Sequence, residues 1–127
     1  MSGTVSAGQR LTAALLGVPA WTQMTLMNSW SNYAGAPAGQ YRWWQLTNEL
    51  EVIGTLSHAS VSGTSQFCST FTQYLPNSRL RDVGTEVALS GLPTVQVSYA
   101  TSGVLEFIEL PSGSTIVSFH CFLSLDA

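Results

Sequence analysis

From Trp21 to the end of the chain, apolar and polar side chains alternate in short runs broken by glycine, proline, serine and asparagine. A period of two puts successive side chains on opposite faces of an extended strand, so the runs predict strands and the breakers predict turns. An incoming strand over residues 24–30 leads into a small-residue loop at 32–39 and leaves as a strand over 41–47. In the next run, 50–58, Leu50, Val52, Gly54, Leu56 and His58 share one face, and Glu51, Ile53, Thr55 and Ser57 the other. Residues 60–65 are polar with a central glycine and read as an exposed loop, while 66–74 alternates as a half-buried strand. A charged segment at 79–89 and the turn Ser90-Gly91-Leu92-Pro93 precede a strand at 94–99. Thr101-Ser102-Gly103 predicts a hairpin into 104–110, and Pro111-Ser112-Gly113-Ser114 a second one. The last run, 115–125, places Val117, Phe119, Cys121, Leu123 and Leu125 opposite Ile116, Ser118, His120, Phe122 and Ser124.

About eight short strands with regularly spaced turns predict an all-β fold, an antiparallel β-sandwich of jelly-roll type. Only the start departs from the pattern. Ser6 and Gln9 have the spacing of a capping box, Leu11, Ala14 and Leu15 make a helical stripe, and Gly17 and Pro19 end it. The expected organisation is a short helical attachment or oligomerisation segment over 1–19 and a β-sandwich domain over 20–127.

Composition changes this picture in one respect. Only 9% of the 127 residues are charged, none is lysine, and 45% are hydrophobic; about 25% charged is ordinary. So little charge leaves sheet edges unprotected, and association of copies, as a trimer, would cover them. A net charge of −3 without a basic stripe excludes nucleic acid as a natural partner. No apolar run reaches the ~18 residues of a membrane-spanning helix, which excludes membrane insertion by one, and the N-terminus lacks a signal-peptide pattern. Cys68 and Cys121 read as buried free thiols.

Residues 28–46 concentrate three of the four tryptophans, with Tyr33 and Tyr41 beside them. Trp30, Tyr33, Tyr41, Trp43 and Trp44 are therefore either the aromatic core of the sandwich or, in part, an exposed platform for a ligand, with the 60–65 loop as a further candidate. A ring offers rigid contact area at low entropic cost. The same stretch carries a resemblance. Asn28-Ser29-Trp30-Ser31-Asn32-Tyr33, a Gly/Ala/Pro loop, Gln40-Tyr41-Arg42, then Ile53-Gly54-Thr55-Leu56 and Leu75-Pro76-Asn77-Ser78-Arg79 resemble a small C-terminal domain of tail-fibre and minor tail proteins of actinobacterial phages and prophages. Residues 7–14 resemble a segment preceding such domains, whereas Trp43-Trp44 stand where charged or small residues are more usual. The resemblance implies a receptor-binding head at the end of a phage tail fibre. It would be assembled in the host cytoplasm, joined to the rest of the fibre, and would bind a host-surface glycan or cell-wall polymer as a homotrimer. A purely structural trimerisation cap and a glycan-degrading tail enzyme are the alternatives.

Catalytic chemistry finds little support. No Gly-x-Ser-x-Gly elbow occurs, and His58 and His120 both lie mid-strand, where they read as structural residues that could approach each other on one sheet face or meet their copies across a three-fold axis. Glu49 and Glu51, or Glu106 and Glu109, are the available carboxylate pairs; the first pair is about 7 Å apart by strand rise, near an inverting glycosidase separation. Arg79, Arg81, Asp82 and Glu86 read as surface or inter-subunit ion pairs. No cofactor or metal is expected, because neither a phosphate-binding glycine loop nor a metal-ligand spacing is present.

Overall fold

The computed structural model describes residues 17–69 and 71–127; most of the expected helical segment over 1–19 lies outside them. Seven strands form one antiparallel sheet: β1 (Thr22–Gln23), β2 (Ser31–Asn32), β3 (Gln40–Trp44), β4 (Glu49–Cys68), β5 (Leu80–Glu86), β6 (Thr94–Tyr99) and β7 (Leu105–Ser124). Their order is β1-β3-β4-β7-β5-β6, with β2 on β4 and an added β6–β7 pairing. Among the described residues there is no helix long and apolar enough to cross a membrane.

The frame is the pair β4 and β7, of 20 residues each, matched from Glu49↔Ser124 to Cys68↔Leu105. Register shifts interrupt this ladder between Ser57 and Val61, Val61 and Gly63, Gly63 and Ser65, and Gln66 and Cys68. Unequal residue counts on two paired strands bend and twist them. The bend is deep: Phe107 and Phe119 would stand ~40 Å apart along a straight strand, yet their ring centroids are 5.7 Å apart. Phe67 stacks on Phe107 at 4.2 Å and reaches Phe119 at 5.3 Å. One ribbon is thus folded over a three-ring core, and its halves become the two layers.

Four sequence expectations are corrected here. Residues 60–65 and 111–114 are not a loop and a hairpin; they lie inside β4 and β7, where Val61 pairs with Ser114 and Gly63 with Leu110. Their serines and glycines mark a corner at which the chain keeps its backbone pairing, and Gly63 (φ 76°) and Gly113 (φ 82°) supply the positive φ that the corner takes. The strand expected over 66–74 stops at Cys68, and the strands among the described residues number seven where about eight were expected.

The faces follow the alternation. Leu50, Val52 and Leu56 of β4 and Val117, Phe119, Cys121 and Leu123 of β7 are buried together with Phe67, Val95, Val97, Tyr99, Leu105 and Phe107. β6 pairs with the first half of β7 and β5 with the second, so the β5–β6 hairpin bridges the bend. On the other side, Ser31 and Asn32 pair with Ser57 and Leu56, while Gln40 to Trp44 pair with Ile53 to Glu49. β2 and β3 therefore run along one edge of β4 with residues 33–39 as an excursion between them. That excursion is tied back by Thr55 N–H donating to the Pro37 carbonyl and Tyr33 N–H to that of Thr55, each at 2.9 Å.

Where the edge rejoins β4, Gly39 and Gly54 allow two backbones to touch. A Cβ on Gly54 would stand 2.9 Å from Gly39 Cα and 3.2 Å from Phe119 Cζ. Neither neighbour is a free side-chain end, so Gly54→Ala is expected to cost about 1–3 kcal/mol of stability by overpacking. Urea unfolding midpoints of the two proteins measure this, and an unchanged midpoint would refute the close approach.

Candidate functional site

β3 is the element around which the aromatic residues gather, and its alternation divides them. Tyr41 and Trp43 stand opposite Val52 and Leu50 and lean on the core. Arg42 and Trp44 stand opposite Glu51 and Glu49 on the outer face. The five aromatic candidates are therefore not one platform. Trp30 is 4% exposed and works inside the fold: its ring lies edge-on to Phe107 at 4.9 Å, and its indole N–H donates to Ser65 Oγ at 2.9 Å. Tyr33, 44% exposed, sits apart on the 33–39 excursion.

On the outer face, Glu51 is only 2% exposed although it points away from the core. It is roofed by its own partners. Arg42 Nε donates to Oε1 at 2.7 Å, Trp44 Nε1 to the same oxygen at 2.9 Å, and His120 Nε2 donates to Oε2 at 2.5 Å. The Arg42 guanidinium lies 4.0 Å from the Trp21 ring centroid and 4.8 Å from that of Trp44, a sandwich that holds its plane. Phe122, paired with Glu51 across the sheet and 51% exposed, lies 5.3 Å from the His120 ring. Beside this network is an open trough of about 390 Å³ lined by Ile53, Thr55, Val83, Thr85, Ser118 and His120.

The inner edge of β3 has a different character. Trp43 stacks on Tyr74 with centroids 5.1 Å apart and planes 25° apart, and donates its indole N–H to Asn48 Oδ1 at 2.9 Å. Tyr41 meets Phe71 edge-on at 4.6 Å. A cleft of about 370 Å³ opens between this edge and residues 17–20, and a smaller one of about 110 Å³ lies beyond Tyr41 and Tyr74.

Sequence reasoning missed Tyr74 and Phe71, because their alternation reads as strand while the chain has left the sheet. It also missed the outer network as a unit. The arithmetic of strand register does reveal it, since Arg42 falls opposite Glu51 once β3 and β4 are paired. The two histidines do not meet: His58 packs beside Trp30 at 4.8 Å, at the rim of the core, whereas His120 binds Glu51 outside. The charged segment does not pair within itself. Arg79 reaches Glu106 at 2.7 Å, Arg81 reaches Gln96, and buried Glu86 accepts backbone N–H groups from Ala88 and Ile116. Cys68 and Cys121 are buried and form no disulfide, and burial, with Asp82 nearby, pushes the Cys121 thiol up to about 12.

No protein-family model and no curated protein matches this sequence. The fold is nevertheless shared with a solved phage head domain. It is similar to the crystal structure of the head domain of the lactococcal phage bIL170, which bears on a common fold for the receptor-binding domains of lactococcal phages. The two are 14% identical, with a TM-score of 0.61, over 85% of this chain and 99% of that one. The likeness is to a lactococcal domain and not to the actinobacterial type that the sequence motifs resemble.

Burial of Glu51 acts to raise its pKa, but hydrogen bonds from His120, Arg42 and Trp44 and the charge of Arg42 outweigh it and hold the carboxyl below its usual value. A carboxylate with a lowered folded-state pKa contributes stability that is complete above the ordinary range, ~4.3, and is lost as pH falls through the lowered value. Glu51→Gln is expected to cost about 1–3 kcal/mol at pH 7, with the gap to the parent protein closing toward pH 3. An equal gap in urea midpoints at both pH values would show that the network is not held by the charge on Glu51.

Proposed function

We propose that this chain is the receptor-binding head of a phage or phage-like tail, which attaches the particle to a host-surface glycan or cell-wall polymer by contact alone, without chemistry. The shared fold with a phage receptor-binding head domain carries the reading. The composition of β3 supports it, since Tyr41, Trp43 and Trp44 bring aromatic area to both sides of a strand near the sheet's edge. Glu51, the better-placed acid of the carboxylate pairs, is occupied by Arg42, Trp44 and His120, which favours binding over hydrolysis.

The working unit is a homotrimer joined to the rest of the tail. Val83 and Phe122 are exposed on the outer face, where the charges of Arg42 and Glu51 neutralise each other, so a second copy can cover apolar area there without like-charge repulsion. Repetition about a symmetry axis gives avidity to individually weak sites.

Fluorescently labelled protein is expected to decorate cells of particular strains in a bacterial panel, to lose most of that binding as Trp43→Ala/Trp44→Ala, and to release no sugar from cell-wall material. Sugar release abolished by Glu51→Gln would instead establish an enzyme, and a folded protein that decorates no strain and whose removal only disrupts particle assembly would establish a structural cap. Light scattering on a sizing column is expected to give the mass of three chains, and a stable monomer would remove the trimer.

A further inference from the structure

On the inner edge of β3, Tyr41 and Tyr74 line both the larger cleft and the smaller one, so the two hollows adjoin at a shared pair of tyrosines and are treated together as one groove. We infer that this groove is the binding site for the receptor and that its ligand is a neutral pyranose chain, whose rings stack on Trp43, Tyr74 and Tyr41 while its hydroxyls meet Gln45, Gln73 and the two threonines Thr22 and Thr72. The inference rests on the receptor-binding reading and gives it a place and a ligand class.

The aromatic part is held in advance of any ligand. Trp43 is fixed by its stack on Tyr74 and by the bond from its indole to Asn48. Tyr41 is fixed by its edge contact with Phe71. Tyr74 takes φ 57°, a left-handed conformation that is unusual for a bulky residue, and is kept there by fully buried Tyr99, whose hydroxyl donates to the Tyr74 carbonyl at 2.9 Å. Such a conformation persists only where its surroundings impose it, and it gathers at ligand contacts. Rings already fixed lose little entropy when a sugar face covers them.

The polar part determines the ligand class. Among the described residues, nothing accepts from or donates to the side chains of Tyr41, Tyr74, Gln45, Gln73, Thr22 or Thr72. All six are neutral groups that donate and accept, as a hydroxyl-rich ligand requires. The described lining of either hollow contains no carboxylate, so a cationic ligand finds no partner. Its one charge, Arg42, is paired with Glu51 and clamped between Trp21 and Trp44, so an anionic ligand would compete with an existing ion pair. A purely apolar ligand would desolvate the amides without replacing their hydrogen bonds. The larger hollow, about 370 Å³, falls at the small end of the ~300–1,000 Å³ typical of ligand clefts. It suits sugar rings, and the smaller hollow suits a substituent carried by one of them.

The test uses the whole chain labelled with nitrogen-15 and titrated separately with maltotriose, cellotriose, chitotriose and, as the anionic comparison, trigalacturonate. At least one neutral trisaccharide is expected to shift the Trp43 indole N–H and the Gln45 and Gln73 side-chain amides saturably, with trigalacturonate causing no such shift. Tyr74→Ala is expected to weaken binding at least tenfold, and Gln73→Ala, an exposed change that leaves the fold intact, severalfold. No shift at Trp43 with any neutral trisaccharide, shifts confined to Trp21 and Trp44, or preferred binding of trigalacturonate would each overturn the inference. Decoration of cells separates it from the broader reading. If the parent protein decorates a strain and Gln73→Ala and Tyr74→Ala do so equally well, the groove is wrong while receptor binding stands. Sugar binding at Trp43 by a protein that decorates no strain gives the reverse result.

Discussion

Phe67, Phe107 and Phe119 belong to two strands that are already hydrogen-bonded to each other, and bringing the three rings together forces both strands to turn back on themselves. Each ring removes a large apolar area from water, and the gain scales with area, ~25 cal/mol per Å². A straight ribbon could bury only one face against a separate sheet. Bending it lets one pair of strands supply both layers, and the remaining strands are placed by this choice: β6 on the first half of β7, β5 on the second, and β2 and β3 along the free edge of β4.

The edge position explains why β3 carries two kinds of surface. Its inner residues are partly buried against the core, so Tyr41 and Trp43 keep part of their rings at the protein surface. Its outer residues lie over a sheet face that no second layer covers among the described residues, and side chains of the sheet itself cover it. A carboxylate at the centre of three donors, with a guanidinium clamped between two indoles, lets a charged group be buried outside the core without being left unpaired. The two surfaces share one backbone, so the network that fixes Arg42 and Trp44 also fixes the strand on which Tyr41 and Trp43 are mounted.

Alternation along the chain made the core legible in advance: the apolar faces of 50–56 and 117–125 are buried as their period requires, and β6 occupies the residues expected of it. Continuity was not legible. The residues at 60–65 and 111–114 have loop composition, and only pairing with a distant partner keeps them in strands, a tertiary effect that local pattern does not contain. The same holds for the site. Aromatic crowding pointed to β3, but Trp30 belongs to the core, Trp43 and Trp44 diverge because neighbours in a strand face opposite ways, and Tyr74 joins Trp43 from 31 positions further along the chain (74 − 43). Glu51 had been legible only as half of a carboxylate pair; its three donors come from β3 and β7.

The folded ribbon also has a temporal consequence. Its ladder begins at Glu49↔Ser124, so the first residue of β4 is paired with the last residue of β7, which is synthesised long after it. Neither layer can close while β7 is still in the ribosome, because Phe107 and Phe119 are both on it and the rest of the core faces them. Closing such long-range pairs is slow, of the order of milliseconds to seconds for β-rich domains, and until it happens β4 is an uncovered apolar strand exposed to its neighbours. Chains emerging side by side on one messenger therefore have an interval in which strands of different copies can pair, so the order of folding, and not only the final set of contacts, decides whether each copy closes its own sheet.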